Sequence, residues 1–189
     1  TPLRIEGFDV SQLNGKYPVA SLVSFYRGVP EKQAYRKFHV KTLEGAIDDY
    51  EAMREIIARR YTRLLNEGKD IPDLILVDGG KGQVQAARSI LNALGLDQIP
   101  LVGLAKREEE LFIPDRKDPI ILPEGSPALR VLQAVRDEAH RFATSFNKQL
   151  RTKALRLERL TSVPGIGEVR GKKLLKHFGS LESIAYAGT

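Results

Sequence analysis

The stretch DLILVDGG, residues 73–80, constrains this chain more than any other. An unbroken apolar run closed by an acid and two glycines is the pattern of a central strand covered on both faces. A half-exposed strand would alternate polar and apolar residues instead. The segments around it supply the cover. Upstream, RIEGFDV (4–10), YPVASLVSFYR (17–27) and AYRKFHVK (34–41) read as three strands joined by short turns, an antiparallel meander. The period then changes: Tyr50, Met53, Ile56, Ile57, Tyr61 and Leu64 fall at helical spacing within residues 47–66. Asp48 and Asp49 suit the positive start of that helix. After the buried run come GGKGQ, a helix over about 82–94, the strand LVGLA, and a small hairpin at 111–113 and 120–122. A long helix opens at Pro127, with a break or bend expected near residue 147. The fold class is therefore α/β, a mixed sheet flanked by helices.

Charged residues make up 29% and hydrophobic residues 42%, a balance that buries a core and excludes a disordered chain. No apolar run approaches the roughly 18 residues of a membrane span. TPLRIEGFDV has no signal-peptide pattern, so a cytoplasmic location is expected. The chain lacks an initiator Met and begins almost directly in a strand, so it reads as a piece of a longer protein. Cysteine is absent, which excludes disulfides, thiol nucleophiles and thiolate metal sites. Any metal here sits on oxygen or imidazole.

The net charge of +6 is unevenly placed. Residues 1–146 carry 21 Lys/Arg and 21 Asp/Glu, and residues 147–189 carry 9 and 3. A localised basic excess is the footprint of a polyanion partner, with a solvated helical face as the plainer explanation. The shift in charge puts a boundary near 147–158. It gives an α/β domain over 1–150 and a small helical segment over 151–189.

Asp9 closes the first strand and Asp78 closes the buried one. In α/β sheets sites gather at strand ends, so neighbouring central strands would hold these carboxylates side by side. Two adjacent carboxylates are costly unless a cation binds between them, and Mg²⁺ or Mn²⁺ suits oxygen ligands. Each Asp taken singly is equally a turn or cap residue. His140, in RDEAHRFA, is either a half-exposed helical histidine or a metal ligand or proton carrier. VDGGKGQ matches neither the P-loop nor the dinucleotide motif, but it allows a close approach to a backbone phosphate beside Lys81.

In the tail, TSVPGIGEVRGKKLLKHF places Gly165 and Gly167 in a turn between helical stretches, with Arg170, Lys172, Lys173 and Lys176 following. The glycines open backbone conformations closed to other residues and let a phosphate come near. Val163, Ile166, Val169, Leu174 and Leu175 are expected to form a small core. This is the helix-hairpin-helix pattern, which grips DNA phosphates without reading bases. A second hairpin, which normally completes such a module, would lie beyond Thr189.

Taken together, RIEGFDVSQLNGKYPVASLV, DDYEAMREIIARRY, DLILVDGGKGQVQAA, GLAKREE, SPALRVLQAVRDEAHRFA and VPGIGEVRGKKLLKHFGSLESI resemble the C-terminal half of the UvrC family. The resemblance covers essentially the whole chain, and no departure touches the matched motif residues. It implies an RNase H-like endonuclease domain followed by helix-hairpin-helix motifs. It implies metal-site aspartates at Asp9 and Asp78, a site histidine at His140, and a further functional carboxylate at Asp49, where helix capping is the competing explanation. Lys81 and Lys106 are candidate phosphate contacts. The implied activity is metal-dependent incision of the damaged strand 5′ to a lesion in bacterial nucleotide excision repair. The implied partners are lesion-bearing double-stranded DNA and UvrB, with UvrA upstream; no membrane and no small-molecule substrate are expected. Two other readings stand beside it: a non-catalytic DNA-binding scaffold, and a different RNase H-like nuclease acting on deaminated bases.

Overall fold

The computed structural model describes residues 2–13, 17–40, 48–106 and 109–187. The expected end of the third strand at residue 41 and start of the first helix at residue 47 lie outside the described residues. The chain divides into two compact units, Thr1–Ser145 and Phe146–Thr189. No helix among the described residues is long and apolar enough to cross a membrane.

Among the described residues, the first unit is built on an eight-stranded sheet. The meander comprises β1 (Arg4–Leu13), β2 (Tyr17–Tyr26), β3 (Val29–Pro30) and β4 (Arg36–His39), with β3 and β4 both pairing with β2. β1 also pairs in parallel with β5 (Leu74–Asp78), and β5 with β6 (Leu101–Ala105). β7 (Glu110–Phe112) and β8 (Ile120–Ile121) close the far edge in antiparallel sense. β1 is longer than its sequence suggested. It stays paired with β2 as far as Leu13, so Asp9 lies inside the strand rather than at its end. What ends beside Asp9 is the parallel partnership with β5, whose last register pair is Phe8 with Val77.

Side chains alternate across a strand, and here both faces are covered. Phe8, Ala20, Leu22, Ile75 and Val77 pack with α1 (Asp49–Asn66) and α2 (Lys81–Ala93). Ile5, Val23, Phe25, Leu76, Leu104 and Leu111 pack against Leu129, Leu132, Val135 and Ala139 of α3 (Pro127–Thr161). Each such buried aliphatic side chain contributes roughly 2 kcal/mol. The predicted stripe on α1 is buried except at Tyr50, which is exposed. Asp48 caps this helix, its carboxylate accepting the Tyr50 N–H at 2.8 Å. On the sheet face beneath α1, Glu6 does not follow the apolar rule. It is buried beneath α1, 2.5 Å from the Arg60 guanidinium, and accepts the Tyr61 hydroxyl at 2.9 Å.

α3 crosses close over the sheet because Gly7 leaves room, a Cβ there lying 2.6 Å from Val135. The break expected near residue 147 is not present. The helix is continuous to Thr161 because its interior contains no Gly or Pro. In the second unit α4 (Glu168–Phe178) and α5 (Leu181–Tyr186) follow the end of α3. Leu160 is buried there, but Val163 and Val169 are exposed, so the small core expected of them is not formed. A unit this small encloses few side chains completely.

Candidate active site

Phe8 and Val77 belong to the core beneath α1 and α2, so the next residues, Asp9 and Asp78, point to the opposite face, that of α3. α3 brings His140 over them. Its Nδ1 lies 3.5 Å from Asp9 Oδ2 and 3.9 Å from Asp78 Oδ2. One ligand atom from each of the three residues falls within 4.8 Å of the others. The helix is held at this height by Ser21, the β2 partner of Asp9, whose buried hydroxyl donates to the Ala139 carbonyl at 2.8 Å. On the other side, Gly103 of β6 lets the turn after Asp78 sit close. A Cβ at residue 103 would stand 2.6 Å from the Gly79 carbonyl and 2.5 Å from Val84.

The electrostatics follow from this burial. Asp9 is 4% exposed, and its Oδ2 is sealed from water with no hydrogen bond among the described residues. Burial first, and then the Asp78 carboxylate, push its carboxyl up from 3.8 to about 6, against the opposing pull of His140 and Lys106. Burial also raises the Asp78 carboxyl, opposed by His140, Arg136 and Lys106. Two adjacent carboxylates that resist ionisation, one with an orphaned oxygen, fit a bound cation. Two carboxylate oxygens and an imidazole nitrogen form a donor set that suits a divalent cation. His140 is 46% exposed, so the cluster opens to solvent on its side.

The remaining residues singled out in the sequence are spread around this cluster. Lys106 follows β6 directly, is exposed, and draws both carboxyls downward. Lys81 is the exposed first residue of α2 and lines a cavity of about 230 Å³ with Gln85, Asp115 and Arg116. Asp49 lies half-buried in the first turn of α1, outside the Asp9–Asp78–His140 group; capping falls to Asp48. In the second unit Gly165 has φ +86°, the left-handed conformation glycine adopts freely, and Gly167 caps α4. Arg170 donates to the Gly165 carbonyl at 2.9 Å, Lys172 pairs with Glu168 at 2.5 Å, and Lys173 is exposed.

Two supporting residues are not among those assigned to the site from the sequence, although the spacing places Arg136 on the helix face of His140. Arg136 is buried one helical turn before His140. It joins Glu109 at 2.7 Å and Asp137 at 2.9 Å, which ties the turn after β6 to α3. Its spacing from His140 was the available signal. Ser21 carried none, because a lone Ser in an apolar strand has no pattern of its own.

Comparison with known proteins identifies the family. Residues 1–144 match the family model of the UvrC RNase H endonuclease domain. The chain is 54% identical over 183 residues to the UvrABC system protein C of Treponema denticola, covering 97% of this chain and 28% of that protein. It is 51% identical over 186 residues to the protein of the same name from Chlorobaculum tepidum, covering 98% and 29%. The chain thus spans under a third of the length of these curated relatives. Among solved structures, Ciona intestinalis Endonuclease V in complex with an inosine-containing DNA matches with TM-score 0.49 and 14% identity over 79% of this chain and 87% of that one. Human ENDOV matches with TM-score 0.46 and 15% identity over 79% and 86%. The sequence matches are decisive for descent: the chain belongs to the UvrC family, and residues 1–144 are its RNase H endonuclease domain.

Proposed function

We propose that this chain is the catalytic part of a divalent-metal-dependent DNA endonuclease of bacterial nucleotide excision repair, hydrolysing a phosphodiester bond of the damaged strand 5′ to a lesion. The observation that carries the reading is the convergence of Asp9, Asp78 and His140, from β1, β5 and α3, with ligand atoms within 4.8 Å. Asp9 and Asp78 are the residues that would hold Mg²⁺ or Mn²⁺. When bound, such an ion neutralises phosphate charge and favours loss of the leaving oxygen.

The chain's own groups supply the rest. The buried face of the cluster excludes water behind Asp9 and leaves the approach from the side of His140. His140 either completes the ligand set or carries a proton between the site and solvent. Lys106 adds positive charge where the scissile phosphate would lie, and Lys81 does so at the start of α2. Asp49 is assigned a supporting role outside the cluster. In the second unit the Gly165–Gly167 turn, with Arg170, Lys172 and Lys173, grips duplex backbone without reading sequence. The name UvrABC system protein C, borne by the relatives, supports partners within a UvrABC system; lesion-bearing DNA as substrate, and UvrB with UvrA upstream as partners in the bacterial cytoplasm, belong to the same proposal.

The test is Asp9→Ala in the full-length protein within the reconstituted repair system. Loss of 5′ incision with duplex binding preserved is expected. Continued incision would overturn the catalytic assignment and leave a DNA-binding scaffold.

A further inference from the structure

A basic cavity lies in the same cross-strand row as the catalytic cluster. Asp9 on β1 is the register partner of Ser21 on β2, and Ser21 is the partner of Lys37 on β4. Two strand spacings separate Lys37 from Asp9 along the sheet, about 10 Å. Phe38 packs into the core beneath α1, so Lys37 faces α3 with Asp9, and its ammonium sits 5.1 Å from the centre of the Phe142 ring. Phe142 lies two residues beyond His140 on α3. The same helix therefore roofs both places.

The cavity has a volume of about 510 Å³ and is lined by Lys32, Tyr35, Arg36, Lys37, Arg141 and Phe142. Its chemistry is one-sided. Four of these residues are cationic, and the neighbouring acid, Glu138, is already engaged: it accepts from Arg141 at 2.6 Å and from the Tyr35 hydroxyl at 3.0 Å. Tyr35 and Phe142 stack edge to face at 5.1 Å and make the floor rigid. Arg36 is fixed by the carbonyls of Gln33 and Tyr35 at 2.8 and 2.7 Å. The result is a preorganised positive surface beside the catalytic cluster and open to solvent.

We infer that this cavity is a second binding site for the DNA strand, taking its phosphodiester backbone a few nucleotides from the cleaved bond and setting the direction in which the strand crosses the cluster. The inference rests on the nuclease reading above. Charge complementarity selects a polyanion, and the shared sheet face and row select the strand being cut over an acidic protein segment. Lys32 and Lys37 are the contacts and act as point charges on phosphate.

The test measures binding of this chain to a fluorescent duplex by anisotropy, in EDTA so that no cleavage occurs, at several salt concentrations. Each phosphate contact contributes about 0.9 to the slope of log K against log salt, so Lys32→Gln with Lys37→Gln should flatten the slope by about 2. Arg63→Gln with Lys69→Gln removes equal charge around Glu67, at the end of α1 and the turn after it, and should leave the slope unchanged. Equal slopes for the Lys32/Lys37 variant and the unaltered chain would overturn the inference and leave the nuclease reading standing. Equal flattening by both double variants would also overturn it, as a net-charge effect. No duplex binding by the unaltered chain would overturn the nuclease reading and the inference with it.

Discussion

Asp9→Asn should make the protein more stable at pH 8 in the absence of divalent cations. Asp9 is buried, and its carboxyl is displaced from 3.8 to about 6 by that burial and by Asp78. A carboxyl raised in the folded state stabilises the fold fully below its unfolded value. That contribution is lost as pH rises through the folded value, here between about pH 4 and pH 6. The displacement is about two pH units at roughly 1.4 kcal/mol each, so ionised Asp9 costs the fold about 3 kcal/mol at pH 8. Asparagine keeps the shape and removes the charge. Urea unfolding in EDTA, followed by tyrosine fluorescence because the chain has no Trp, reads this directly. Tyr61, fully buried in the first unit, is a suitable reporter. The variant should exceed the parent by about 3 kcal/mol at pH 8 and match it at pH 4. Mn²⁺ at about 100 times its dissociation constant should return about 2.7 kcal/mol to the parent. The variant should gain far less. A variant no more stable than the parent at pH 8, or a parent equally stable at both pH values, would refute the claim that the carboxylates are held together at a cost.

Gly103→Ala should cost about 1–3 kcal/mol, because backbone at Gly79 and the Val84 side chain leave no room for a Cβ. By shifting the turn after Asp78 it should also weaken Mn²⁺ binding in calorimetry, and unchanged binding would mean the turn adapts. Glu6→Ala should lose about 3–5 kcal/mol in urea unfolding by leaving Arg60 and Tyr61 without their buried partner; a loss below 1 kcal/mol would indicate that water reaches the pair. Asp48→Ala should cost about 1 kcal/mol as a lost helix cap. Asp49→Ala should cost less than Asp48→Ala in stability and more in incision by the reconstituted system; unimpaired incision would withdraw the supporting role given to Asp49.

Local patterns in the sequence determined the elements. The apolar run ending at Val77 specified a central strand, helical spacing specified α1 from its buried stripe, and the absence of Gly and Pro inside α3 specified a long helix. Asp9, Asp78 and His140 were each legible as candidates, because acids after apolar runs and a histidine in a helix stand out by type and place. Their union was supported by resemblance but not contained in any local pattern. Parity on two neighbouring parallel strands put both acids on one face, and the close crossing at Gly7 lowered His140 onto them. Tertiary structure also decided what local reading missed or misplaced. β1 runs on to Leu13 because β2 continues to pair with it, and Val163 and Val169 remain exposed because the second unit is too small to enclose them. Glu6 is buried because two α1 residues satisfy it. Periodicity records what a residue prefers within its own element. Which element faces it, at what distance and with what charge, is set by register and packing between segments far apart in the chain.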